Sequence, residues 1–241
     1  ADIAIFDADC DNSATINANL SVIGLTISSG YIGTVTQNTD ITLTVGTSDY
    51  SQADGTFTGS NATIDMNDGF SLTGGTFTST SGTMSVAGAF TVSGTPTFTH
   101  NSGTVTFDAA VSQTVTPSTA TFNNVTFNIG SSGNDDFATI ANSQTLTVTG
   151  TLTLTNGLIN QTTIPAGGSV AAQGNIVQGS GFDGGSGRIE ITGTANQTFT
   201  GSATTTAGTI PDIEIDKAAG TLTLSGTIRT MENDWVYTAG T

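Results

Sequence analysis

Gly55-Thr-Phe-Thr-Gly-Ser-Asn-Ala-Thr-Ile-Asp-Met-Asn-Asp-Gly-Phe-Ser-Leu-Thr-Gly74 is followed directly by Gly75-Thr-Phe-Thr-Ser-Thr-Ser-Gly-Thr-Met-Ser-Val-Ala-Gly-Ala-Phe-Thr-Val-Ser-Gly94. The two copies align without a gap. Phe57 falls on Phe77, Ile64 and Met66 on Met84 and Val86, and Phe70 and Leu72 on Phe90 and Val92. In each copy apolar residues alternate with Thr, Ser or Asp in three short bursts, separated by Gly, Asn and Ser. Period-two alternation predicts strands with one buried face, and the small polar residues predict turns. Three strands and three corners in a tandem unit of this length describe one coil of a β-solenoid.

The composition agrees. The 241 residues include 50 Thr and 31 Gly but only 3 Lys+Arg, so the chain is built from strand and corner formers. Almost no helix is expected. The formal charge of −16 argues against a nucleic-acid partner, which needs basic groups to neutralise phosphate, and against docking on an anionic membrane surface. Such acidity fits an extracellular surface kept apart by mutual repulsion. Cys10 is the single cysteine, so stability has to come from stacking rather than an intrachain disulfide. No apolar run reaches the ~20 residues that span a bilayer. With no leader and no initiator Met, the chain reads as a processed product or an excised segment.

Residues 1–54 read as irregular N-terminal coils and 55–241 as regular ones, in one continuous domain. A longer repeat overlies the short one. Gln113 and Val115 recur as Gln197 and Phe199; Asn124 to Asn128 answers to Asp212 to Asp216, and Leu146 to Leu152 to Leu222 to Ile228. The slippage between these matches places a loop insertion at about 130–141. A coil of 20–21 residues gives about twelve coils. The expected fold is all-β, a right-handed parallel β-helix, since parallel crossovers favour that hand; an antiparallel sandwich is the alternative.

The phrases Phe98-Thr-His-Asn-Ser-Gly-Thr-Val-Thr-Phe107, Thr121-Phe-Asn-Asn-Val-Thr-Phe127 and Leu146-Thr-Val-Thr-Gly-Thr-Leu-Thr-Leu154 resemble the Thr/Gly-rich β-strand-repeat proteins of bacterial surfaces. These are similar in style to β-helical autotransporter passengers and filamentous-haemagglutinin-type adhesins. The resemblance covers nearly all of the chain and implies a secreted or cell-surface location. Its motifs are structural and transfer no functional residue.

Candidate sites are few. Asp7, Asp9 and Asp11 alternate as in the opening of an oxygen-rich calcium loop, but Ala18 stands where a bidentate carboxylate is required. The alternative is an acidic edge that discourages strand pairing. Asp135 and Asp136 lie in the expected insertion and could serve binding. Trp235 and Tyr237 alternate as sugar-stacking aromatics would, or as rings capping the last coil. Asp212, Glu214 and Asp216 share one strand face, which a carboxylate-based hydrolase could use, although an exposed acidic stripe is the plainer reading. His100 reads as a solvent-facing strand residue. Sequons at Asn19, Asn61, Asn124, Asn160 and Asn196 leave glycosylation open.

The sequence therefore points to a non-catalytic structural protein without a cofactor, a stiff rod acting as stalk segment or filament subunit. Its first partner would be itself, end to end or within a longer array. An adhesin that holds glycans or a host surface is the alternative, and a polysaccharide-cleaving enzyme the more distant one.

Overall fold

The computed structural model describes residues 2–10, 12–130, 136–161, 167–230 and 234–240. All paired strands are parallel, no helix occurs among the described residues, and the chain winds about 10 turns as a β-solenoid. Two compact units are present: residues 1–106 with 116–121, and residues 107–115 with 122–241.

In the first unit each coil contributes one strand to each of three walls. One wall stacks Ile3–Phe6, Gly24–Ile27, Tyr50–Gln52, Phe70–Leu72 and Phe90–Val92. A second stacks Ala14–Ile16, Thr34–Gln37, Thr56–Thr58, Thr76–Thr78 and Thr97–Thr99. A third stacks Leu20–Val22, Leu43–Val45, Ile64–Met66 and Thr83–Val86. The register joins Phe57 to Phe77 and Met66 to Val86, as the tandem copies require. Like residues stack because the parallel ladder keeps every inward side chain on one face. Phe57 and Phe77 stack at 5.0 Å, and Phe70 and Phe90 at 4.9 Å. Tyr50 lies against Phe57, Phe70 and Phe77, so the interior is one aromatic column.

The second unit repeats the plan with mostly aliphatic residues. Leu146, Val170, Ile189 and Ile213 form one buried rank. Leu152, Ile176 and Phe199 form another. Leu152–Gln161 turns from one wall into the next without leaving strand pairing, its register slipping at Asn156. The turn is made at Gly157, whose φ of 86° suits a residue lacking Cβ.

Three expectations are corrected. The winding is about 10 turns rather than twelve because the twin coils are among the shortest. Ser85 bonds Asp65 20 residues back, whereas Thr151 bonds Asn124 across 27 residues. The insertion does not extend through Ala141: Phe137–Ile140 is a wall strand in register with Leu158 to Gln161 and buries Ala138 and Ile140. Residues 131–135, including Asp135, lie outside the described residues. The longer repeat does not align faces either. Asn124–Asn128 stacks on Leu152, while its supposed counterpart Asp212–Asp216 stacks on Arg188–Ile191 in a different wall.

Candidate functional site

A concavity lies in the second unit, where Asp212–Asp216, Leu222–Thr227 and Trp235–Ala239 come together. It encloses about 230 Å³ and is lined by Ile215, Lys217, Leu222, Leu224, Trp235 and Tyr237, among others. Trp235 pairs with Ile213 in the ladder and stacks on Phe199, their ring centroids 6.3 Å apart, so it is half-buried. Tyr237 pairs with Ile215 yet remains 65% exposed, its hydroxyl donating to the Gly240 carbonyl. Of the two rings expected to cap or to bind, Trp235 covers apolar surface and Tyr237 faces water. Leu224 is 53% exposed. The apolar alternation of the sequence therefore continues here onto an open face.

Lys217 borders this concavity and is only 2% exposed. Its Nζ donates to the carbonyls of Gly193 and Ala195 and to Oε1 of Gln197. Burial lowers its pKa from the ordinary lysine value. All three ammonium hydrogens have oxygen acceptors, so the group clamps a corner rather than offering a free amine. Gln197 continues the chain of bonds, giving Nε2 to the Ala172 and Gly174 carbonyls.

The same device recurs through both units. Gln37 donates to the Ile41 and Thr63 carbonyls. Gln52 donates to those of Asp54, Gly55 and Thr76 while accepting from the Tyr50 hydroxyl at 2.7 Å. Asn156 donates to Ile129 and Gly130. At a corner the ladder is interrupted and carbonyls are left facing the interior, where each needs a donor. An inward amide supplies two hydrogens on a side chain long enough to span adjacent coils. Sequence reasoning missed this set. The recurrence of Gln113 and Gln197 at inward positions was its one signal, and both are buried.

The acidic stripe is as expected: Asp212, Glu214 and Asp216 turn outward opposite buried Ile213. The structure adds Glu190, which pairs with Glu214 in the ladder, and Arg188, which bridges both at 3.0 and 3.1 Å. Thr238 donates to Glu214 at 2.9 Å. The guanidinium offsets the repulsion of two stacked carboxylates, so this cluster is an ion-paired patch on a strand face.

The remaining candidates take structural roles. The Asp9 N–H donates to Asp7 Oδ1, an Asx turn, and Asp11 lies outside the described residues. Among the described residues no group of three or more His, Cys, Asp or Glu could hold a metal ion. Asp136 gives its carbonyl to Leu158 N–H at the start of the wall strand. His100 stands in a turn, not a strand, with Nδ1 accepting from Ser102 N–H. Each sequon asparagine lends Oδ1 to a backbone N–H of an adjacent coil: Asn19 to Thr42, Asn61 to Asp40, Asn124 to Thr151, Asn160 to Ser186 and Asn196 to Thr221. No protein-family model, curated protein or solved structure matches the chain.

Proposed function

We propose that the chain is a non-catalytic extracellular structural protein, a solenoid segment that serves as stalk or as self-assembling filament subunit. The observation that carries this reading is the open face of the second unit. Leu222–Thr227 and Trp235–Ala239 each have a strand partner on one side only among the described residues. Leu224, Val236 and Tyr237 are exposed beside them. An unpaired parallel edge with an apolar interior is a template for another coil, from the same array or from a second copy. Contacts of that kind are heterologous and propagate instead of closing.

Buried polar side chains support the same reading, since those of Gln37, Gln52, Asn156, Gln197 and Lys217 are engaged with backbone corners. The acidic, lysine-poor surface suits an extracellular setting, in keeping with the resemblance to bacterial surface repeats. Analytical ultracentrifugation with negative-stain microscopy across a concentration series tests the proposal. Linear assemblies that grow with concentration are expected; monomers alone at the highest concentration would overturn self-assembly. A second reading, glycan capture, is favoured by the Trp235 and Tyr237 rings on one concavity. A glycan array separates the two, because Tyr237→Ala abolishes capture only if the rings hold sugar.

A further inference from the structure

The second wall of the first unit carries two ranks of threonine. Thr34, Thr56, Thr76 and Thr97 stack in one; Thr15, Thr36, Thr58, Thr78 and Thr99 stack in the other. The strands that bear them contain no charged residue. Behind the wall Phe57, Phe77 and Phe98 stack at 5.0 and 5.7 Å with ring planes 10° and 12° apart, so three of its strands share one aromatic backing.

The hydroxyls of these nine residues have no hydrogen-bond partner among the described residues. By contrast Thr73, Thr80, Thr149 and Thr238, on other parts of the chain, donate to carbonyl or carboxylate oxygens. The wall thus presents uncommitted hydroxyls and methyls at fixed points. Branching at Cβ restricts each χ1, so the points hold their positions. The ranks repeat at about 4.8 Å from strand to strand and stand roughly 6.6–6.8 Å apart along each strand.

A discrete ligand would touch only a few of these residues. A ligand that engages all nine must itself repeat in two dimensions, and many weak simultaneous contacts then add to firm attachment. An ordered water lattice meets this condition without any charge on the protein. Hexagonal ice exposes faces whose water oxygens repeat in two dimensions, as the threonines of the wall do. We propose that the threonine wall of the first unit is an ice-binding surface, its methyls seating in the lattice and its hydroxyls joining its hydrogen bonds. The inference stands independently of the structural role proposed above.

The test is ice-affinity partitioning together with freezing-point hysteresis on the purified chain. Thr58→Lys/Thr78→Lys places two charges in the middle of one rank, and Thr91→Lys, on another wall, is the control. The wild-type chain and Thr91→Lys should pass into the ice fraction and show hysteresis. The double variant should stay in the liquid and lose its hysteresis, with an unchanged circular dichroism spectrum. If it fails to fold, Thr58→Ser/Thr78→Ser, which removes only methyls, should show the same loss. The proposal is overturned if the wild-type chain partitions no better than an inert protein, or if the folded double variant partitions like the wild type. Binding to microcrystalline chitin or cellulose without binding to ice would overturn it as well.

Discussion

The first unit and the second solve one packing problem with different materials. In the first, Phe70 sits on Phe90 and Phe57 on Phe77, and Asp49 meets Gly69 across 20 residues. In the second, Leu, Ile and Val predominate around a few Phe rings, and paired coils lie anywhere from 19 residues apart, as Val170 with Ile189, to 27, as Val125 with Leu152. Flat rings stack only if each coil returns to the same height and angle, so an aromatic column goes with short, uniform corners. Aliphatic side chains tolerate offsets, and corners there can lengthen. Packing inside thus constrains loops outside.

The comparison can be broken most directly by removing a ring. Phe77→Ala should cost about 3–5 kcal/mol, because Phe77 touches Phe57, Phe70, Phe98 and Tyr50. In a Tyr237→Phe background, denaturant unfolding followed by the near-ultraviolet signal of buried Tyr31 and Tyr50 reads the first unit, whereas the single Trp235 reads the second. A loss equal to that of an exposed-site variant would refute the column as the main source of stability. Gln52→Leu should cost roughly 1–3 kcal/mol by orphaning three carbonyls and the Tyr50 hydroxyl, while keeping a similar volume. An unchanged midpoint would show that water replaces the amide.

Gly75→Ala sharpens the point about corners. With φ at 71° and an added Cβ only 2.3 Å from the Gly55 carbonyl oxygen, it should cost about 1–3 kcal/mol. In the second unit Asn196→Ala, which removes an exposed acceptor from Thr221 N–H, should cost only about 0.5–1.5 kcal/mol. Thermal melts of the two variants side by side would show whether short corners are the stricter ones.

The subtlest contrast is in alkali. Burial raises the pKa of Tyr50 well above 10.0, and that of Tyr31 is raised by burial and by nearby Cys10. Above pH 10 the unfolded chain therefore releases these protons first, and the first unit loses stability as pH rises. Lys217 has the opposite sign. Its folded pKa lies below the ordinary 10.5, so the unfolded state binds more protons between the two values, and the second unit gains as pH climbs through that window. Urea midpoints by tyrosine and Trp235 signals between pH 9 and 11 should diverge. Parallel movement would mean that these groups do not govern the response.

The sequence made the winding legible because alternation and the twin copies at Gly55 to Gly94 state one coil outright. It misled on number because an ungapped repeat exposes the minimal coil and hides corners of varying length. Phe137–Ile140 was absorbed into the insertion because the Gly, Asn and Asp before it look like loop, whereas its four residues pair and bury like any wall strand. The site residues were harder. Trp235 and Tyr237 were visible as an alternating pair, yet their unequal exposure depends on what stacks beneath each ring. The corner amides were nearly invisible, since a polar residue at an inward position resembles an error in the pattern until its carbonyl partners are known.

The ungapped match of residues 55–74 with 75–94 has a genetic corollary. Deleting or doubling such a block removes or adds one full storey and leaves all three facades in line, with Gly75 arriving where Gly55 stood. A gene built this way can alter the height of its product by unequal recombination alone, in whole steps, without redesigning the interior.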